Sequence, residues 1–379
     1  MDLNFTPEEE AFRVKARAWL EGNAPAPMES MDTPDGFEQH RDWEEHLYEH
    51  GWAAVSWPRE FGGRDATLIE WLIFEEEYYR VGAPRRLNQN GLFLLGPVLL
   101  EYGTKEQKER YLPKIVSAEE IWCQGWSEPN AGSDLASLTS KATRDGDEWV
   151  LTGQKTGCSR GVYADWMFGL FRSDPSSERH KGLSYILVPL ESPGVTVRPI
   201  AQIDGEPGFA EVFLDNVRVP VANTLGPEGE GWQIAMSTAG FERGVALRSP
   251  GRFMASADRL VSSYMAREHL VSPSLRNDVI NSWMDVEAYR LYTFWSVSRK
   301  LAGGTIGAEA SLNKVWWSEM DVRLHDTALR LLGEDATLPL GDEHWLDGFL
   351  FSLAGPIYAG TNEIQRNIIA ERVLGLPRS

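Results

Sequence analysis

Cysteine is nearly absent: Cys123 and Cys158 are the two in 379 residues. Two cannot build the disulfide framework of a small secreted domain, and their spacing is not that of metal ligands. Neither has a sequence-adjacent His to activate a thiol nucleophile. No uninterrupted apolar stretch reaches the ~18 residues of a membrane-spanning helix, so no membrane insertion is expected. Positive charge is also in deficit, with 37 Lys and Arg against 56 Asp and Glu and a net charge of -19. That surplus disfavours nucleic acid and anionic lipid, while a local basic patch still suits a small anionic ligand. The first residues, Met1-Asp-Leu-Asn-Phe5, are acidic where a secretory signal is basic, so the expected location is cytoplasmic. A Gly-x-Gly-x-x-Gly after a strand is missing as well, which removes a Rossmann nicotinamide site.

What is present has a three-part texture. Thr6-Pro7-Glu8-Glu9 reads as a capping box with Pro at the first helical position. Helical periodicity recurs over Asp42 to His50, Leu68 to Val81 and Leu92 to Tyr102, and Thr104 caps a further helix. Residues 1–118 are thus expected to form an N-terminal α-helical domain. From 119 to 222 the chain turns to short runs rich in β-branched and aromatic residues: Trp149 onward after the turn Asp145-Gly146-Asp147, then 166–171, 183–188, 195–197 and 211–219. Helical periodicity returns over 231–266, 274–302, 305–333 and 355–374, within a C-terminal part spanning 223–379.

Three blocks stand out: Ser127-Glu-Pro-Asn-Ala-Gly-Ser-Asp134, Gly153-Gln-Lys-Thr-Gly-Cys-Ser-Arg-Gly-Val-Tyr-Ala-Asp165, and Gly355-Pro-Ile-Tyr-Ala-Gly-Thr-Asn-Glu-Ile-Gln-Arg366. In that order, with helical flanks, they resemble the acyl-CoA dehydrogenase family. The resemblance implies a multidomain α+β fold with an N-terminal helical domain, a β-barrel-like middle domain and a C-terminal four-helix bundle. It also implies FAD, placed between the β domain and the bundle.

Residue by residue, the resemblance puts Trp126, Ser127, Ser133 and Ser159 at the flavin. Gly132 allows close backbone approach there. Thr361 and Glu363 match positions near the FAD pyrophosphate or adenosine. Two departures matter. Gly157 stands where the family carries a flavin-flanking Trp, and Arg160 stands where a small residue is common. The Gly-Gly segment that precedes the last block in the family is reduced to Gly333, which weakens the expected FAD contacts from a neighbouring subunit.

The family reaction is α,β-desaturation of an acyl thioester, with the α-proton taken by a base and the β-hydrogen passing as hydride to flavin N5. The usual base is a Glu in Tyr-Glu-Gly-Thr; here Tyr358, Ala359, Gly360 and Thr361 fill those positions. The backbone N–H of residue 359 survives the change, so the oxyanion site for the thioester carbonyl survives too. Some members carry their base on another helix within a Glu-Arg pair. Gly240-Phe-Glu-Arg-Gly244 matches that pair, making Glu242 the expected base, with a pKa raised by burial, and Arg243 a structural or phosphate-binding neighbour.

The resemblance further implies a coenzyme A or carrier-protein thioester as substrate, an electron-transfer flavoprotein as electron acceptor, and a homodimer or homotetramer. An oxidase or monooxygenase on the same fold is the first alternative, since Gly157 could open an oxygen path. A non-catalytic subunit of a heteromeric dehydrogenase is the second. His46-Leu-Tyr-Glu-His50 has the letters of a zinc-protease motif, but Asp42, Glu44 and Glu45 beside it read as a solvated acidic face, and no metal is expected.

Overall fold

The computed structural model describes residues 4–243, 249–304, 307–337 and 345–377, without the side chains of Glu242, Arg243, Leu270 and Thr337. The described residues fold into eleven α-helices and one mixed sheet of eight strands. The helices α1 (Pro7–Asn23), α2 (Pro34–Glu49), α3 (Leu68–Arg80), α4 (Gly96–Tyr102) and α5 (Lys105–Val116) come first. The strands follow: β1 (Trp122–Gly125), β2 (Lys141–Asp145), β3 (Glu148–Ser159), β4 (Trp166–Arg172), β5 (Leu183–Pro189), β6 (Val195–Ile200), β7 (Phe209–Pro220) and β8 (Thr224–Leu225). The chain then continues through α6 (Gly231–Arg243), α7 (Pro250–Arg267), α8 (Pro273–Leu301), α9 (Ala310–Leu332), α10 (Trp345–Ser352) and α11 (Asn362–Ile368). No helix among the described residues is long and apolar enough to cross a membrane.

These elements form two compact units. One holds Met28–Asp65 and Arg85–Glu242, the other Met1–Pro27, Ala66–Pro84 and Arg243–Ser379. The first is built on the sheet, with strand order β6-β7-β3-β2-β4-β5-β8 and β1 parallel to β4. A barrel-like middle domain was expected; the strand path is instead open, ending at β6 and β8. The central strands β4 and β5 are buried along nearly their whole length, as strands covered on both faces are. The edge strand β6 alternates half-buried with exposed positions and carries Arg198 and Pro199, which discourage further pairing. The Asp145–Glu148 hairpin turns through Gly146 at φ +63°, as its sequence foretells. Helix α5 rests on the sheet through Tyr111, edge-on to the stacked pair Trp122 and Trp166.

The second unit is helical. Phe253, Leu260, Val286, Tyr289, Trp317 and Leu324 form the centre of its core. Helix α3 brings three consecutive buried carboxylates to it, and each meets a partner: Glu75 accepts from Ser249, Glu76 pairs with Arg290, and Glu77 with Arg13, Arg17 and Arg80. The capping boxes at Thr6 and Thr104 form as read, and Thr67–Glu70 makes a third.

Three helical runs are shorter than periodicity suggests; that of 305–333 begins at Ala310, and residues 305–306 lie outside the described ones. The run 231–266 is interrupted, because Ser249 is extended at φ -60°, ψ 149° and Pro250 opens a new helix at its first position. The run 355–374 begins only at Asn362, because Ala359 and Gly360 sit at φ +58° and +84°, conformations no α-helix contains. Strands β1, β2 and β8 were not anticipated; all are five residues or shorter.

Candidate active site

In the sheet unit the first two sequence blocks are bound together by one buried ion pair. Lys155 Nζ lies 2.8 Å from Glu128 Oε1 and also donates to the carbonyls of Leu170 (2.7 Å) and Trp126 (3.3 Å). Glu128 additionally accepts from the Thr139 amide and hydroxyl and from the Ser140 amide. Burial alone would raise the Glu128 carboxyl, but the Lys155 charge and these donors hold it at about 2. The same burial lowers the Lys155 ammonium, opposed by Glu128. The loop 127–134 therefore leaves the sheet from a fixed base. Neither Glu128 nor Lys155 was singled out from sequence, since a charged residue inside a polar motif carries no burial signal.

Around that base the expected cofactor residues sort by environment. Trp126 is buried with its ring edge-on to Phe168 and Tyr185, and its indole Nε1 makes no hydrogen bond among the described residues. The Ser127 carbonyl accepts from the Thr156 amide at 2.9 Å. Ser133 is exposed, and a Cβ added at Gly132 would meet no protein atom within 4 Å. Asp134, at the end of the loop, pairs with Arg179 at 2.8 Å. Ser159 closes β3, its carbonyl receiving the Asn90 side-chain amide at 3.5 Å.

Gly157 sits where the β3–β7 register shifts between Lys155 and Cys158, and its φ is +67°. The residue replacing the family's Trp is thus the left-handed residue of a bulge, a position that favours Gly. No protein atom lies within 4 Å of a Cβ placed there. Cys158 and Cys123 are both buried and free, and the Cys158 contact and burial push the Cys123 thiol well up, away from reactivity.

Helix α6 is anchored in the same unit. Gly231 lies so close to β5 that a Cβ would stand 2.6 Å from Ser184 backbone. Thr238 Oγ1 lies 3.5 Å from the Tyr185 hydroxyl, and Tyr102 reaches Ser237 at 3.1 Å. Glu242 and Arg243 are the last two residues of this helix; the expected base and its neighbour have side chains outside the described residues.

In the helical unit the third block forms a turn. Gln365, fully buried, donates through Nε2 to the carbonyls of Ala359 (3.2 Å) and Gly360 (3.3 Å), which fixes both left-handed residues. Thr361 caps α11, its hydroxyl accepting from the Ile364 amide at 3.3 Å. Its neighbour Asn362 is buried between α9 and α11, with Lys314 Nζ and Ser318 Oγ at 2.8 and 3.1 Å from its Oδ1. Glu363 is exposed, and its own backbone amide at the helix start lowers its carboxyl. The Tyr358 ring packs against Trp317 and Phe351. The polar residues of this block thus divide between capping, turn clamping and helix packing. Gln365 and Lys314 are the members that sequence reasoning missed.

On α2, the ligand-capable atoms of His46, Glu49 and His50 lie within 4.8 Å of one another at an exposed helix end. His50 Nδ1 is 2.9 Å from the His46 carbonyl, an ordinary helical contact.

Comparison with known proteins places these features. Residues 6–119, 123–217 and 229–374 match, in order, the N-terminal, middle and C-terminal domains of acyl-CoA dehydrogenase. The chain is 40% identical over 391 aligned residues to the acyl-CoA dehydrogenase IpdE1 of Mycolicibacterium smegmatis, with 98% of each chain covered. Among solved structures it is similar to the Tcur3481-Tcur3483 steroid ACAD, with a TM-score of 0.89 at 30% identity over 100% of both chains. It is also similar to the ChsE4-ChsE5 complex from Mycobacterium tuberculosis, with a TM-score of 0.85 at 30% identity over 100% of both chains.

Proposed function

The chain belongs to the acyl-CoA dehydrogenase family of FAD-dependent oxidoreductases, and from that premise we propose that it desaturates an acyl thioester between Cα and Cβ using Glu242 as base. One observation carries the reading: the turn at 358–360 keeps a fixed backbone while its usual carboxylate is replaced by Ala359. A turn kept without its acid fits a site in which residue 359 binds the carbonyl and another helix supplies the base.

The residues of the sheet unit fit the cofactor. A buried indole donor without a protein partner, and two glycines with open space beyond them, suit a large ligand with polar edges. Trp126, Ser127, Ser133 and Ser159 would hold the flavin, and Thr361 and Glu363 its phosphate or adenosine end. FAD supplies the acceptor for the β-hydrogen as hydride. The protein's own tasks are then three. The Ala359 N–H, with Gly360 and Tyr358 shaping the turn, donates to the thioester oxygen as negative charge develops there. Glu242 takes the α-proton. Arg243, beside it, holds a structural or phosphate contact. The working division of the chain is 1–118, 119–222 and 223–379, the last a four-helix bundle.

A steroid-derived acyl group is the first substrate class to assay, because a structural relative is a steroid ACAD. Coenzyme A or a carrier protein would bear the thioester. An electron-transfer flavoprotein would reoxidise the enzyme, and a homodimer or homotetramer is the proposed assembly. The second reading, a subunit of a heteromeric dehydrogenase, is favoured by the ChsE4-ChsE5 relative, which is a complex of two different chains.

Anaerobic bleaching of the flavin absorption by a panel of acyl-CoA thioesters tests the proposal, wild type beside Glu242→Gln. Bleaching by wild type, slowed on the order of 10²- to 10⁴-fold in the variant, is the expected result. Equal rates would remove Glu242 from the base role. A purified chain that holds little FAD and bleaches with no thioester would favour the partner-subunit reading.

A further inference from the structure

The segment that reads in sequence as a solvated acidic face also brings three ligand atoms together. We propose that His46, Glu49 and His50 form a surface site for a divalent transition metal, with zinc as its reference ion. The site stands apart from the thioester chemistry and does not depend on it.

The three residues occupy the last turn of α2 and its C-cap, at i, i+3 and i+4, so their side chains share one face of the helix. One ligand-capable atom from each lies within 4.8 Å of the other two. Glu49 and His50 are exposed and His46 is half-buried, so an ion reaches this face from solvent without any cavity.

The rings are oriented before any ion arrives. His50 Nδ1 lies 2.9 Å from the His46 carbonyl oxygen, and a carbonyl can only accept. Nδ1 therefore carries the proton of the neutral ring, which leaves Nε2 with the lone pair that a metal requires. Metal-binding histidines are usually held in this way, one ring nitrogen donating to a carbonyl or carboxylate while the other ligates. The His46 ring is braced by Trp43, with centroids 5.8 Å apart, and lies 4.4 Å from the His50 ring at 52°. This pairing reduces the side-chain entropy lost on binding.

Charge also favours a cation. The C-terminal end of a helix presents partial negative charge. Asp42 and Glu45 are exposed one turn earlier, at i-4 from His46 and Glu49, and add to it. Arg64 opposes them, yet its charge is engaged by the carbonyls of His50 (2.6 Å) and Gly51 (2.5 Å) and by the Trp52 ring at 3.7 Å. The same two hydrogen bonds fix the backbone that carries His50.

The donor set selects the ion. Two imidazoles and a carboxylate suit zinc, nickel or copper, whereas calcium and magnesium take oxygen ligands. Three protein ligands leave the fourth tetrahedral position of zinc to water, so the affinity falls below that of closed four-ligand structural sites.

The test titrates zinc chloride into the untagged full chain as purified, followed by calorimetry. Magnesium chloride and the variants His46→Asn, His50→Asn and Glu49→Gln are run beside it. One equivalent of zinc bound in the micromolar range is expected, with a raised thermal midpoint. Each histidine variant should weaken binding on the order of 10- to 100-fold, and Glu49→Gln by less. All three should keep the wild-type midpoint without metal, as surface substitutions do. Should one histidine variant lose stability without metal, the other and Glu49→Gln decide. Zinc binding that the variants leave unchanged, magnesium binding as tight as zinc, or zinc uptake only at millimolar concentrations overturns the site and leaves an ordinary solvated helix end.

Discussion

Lys155 Nζ stands 2.8 Å from Glu128 Oε1, with both side chains inside the protein and each belonging to a different sequence block of the site. The pair makes the loop 127–134 and the strand β3 a single rigid piece. Lys155→Met would leave Glu128 buried with its charge unmatched, a change that typically costs about 3–5 kcal/mol. We expect a lowered denaturation midpoint together with lost FAD. Unchanged FAD content in a destabilised but folded variant would separate the pair from the cofactor wall.

Acid should act through the same carboxylate and through Glu77. Both have folded pKa values of about 2 against an ordinary 4.5, for Glu77 despite burial and because of Arg17, Arg80 and Arg13. A depressed pKa means the folded state binds fewer protons, so this stability is complete above pH 4.5 and fades as pH falls toward 2. For Glu77 it is on the order of 3 kcal/mol. The Glu128 shift is of the same size, so the two carboxylates fade over the same range. Urea unfolding followed from pH 6 to pH 3 should show the decline, and Glu77→Gln should flatten it.

At Gly157 open space and backbone conformation point in opposite directions. No atom obstructs a Cβ, but φ is +67° in the bulge. Gly157→Ala should therefore destabilise by about 1 kcal/mol, with the strain coming from the backbone alone. Gly157→Trp, which restores the family's residue, should lose at least as much. A neutral Gly157→Ala would show that the bulge relaxes.

Ala359 offers the converse test. Its φ of +58° is unfavourable for alanine, so Ala359→Gly should stabilise by up to about 1 kcal/mol, read as a raised midpoint. Ala359→Glu puts a carboxylate at the family's usual position. Combined with Glu242→Gln, it should recover part of the lost flavin bleaching. No recovery in a folded, FAD-loaded double variant would mean that residue 359 no longer addresses the α-carbon.

Much of this was legible in the residues. The Thr6 and Thr104 caps, the 145–147 hairpin and the helices α8 and α9, apart from the start of α9, follow from local rules that local contacts enforce. What escaped was set from far along the chain or by backbone conformation. Strand β1 is four residues long and exists because Asn88 receives its first amide and β4 lies beside it. Periodicity ran through Pro250 because the apolar spacing on either side happens to agree. The helix of the last block was placed too early because Ala at φ +58° leaves no mark in a sequence. The polar letters of the three blocks identified the chemistry. They could not show that Thr361 is occupied as a helix cap, or that Arg160 is buried opposite Asp32.

The assignment of α1 and α3 to the same unit as α7 to α11 has a consequence for synthesis. Residues 4–27 and 66–84 leave the ribosome long before the helices they pack on, since Phe5 meets Phe294, Glu75 meets Ser249 and Glu76 meets Arg290. The sheet unit can complete itself once residue 242 has emerged, while α1 and α3 wait with apolar faces and clustered carboxylates exposed. Such a chain closes its helical unit last, over sequence separations of 174 residues for Glu75–Ser249 and 214 for Glu76–Arg290, and loop-closure entropy makes that step slow. A fragment cut at the end of the matched N-terminal stretch would strand both helices without partners, so the chain's natural folding piece is the middle of the sequence and not its beginning.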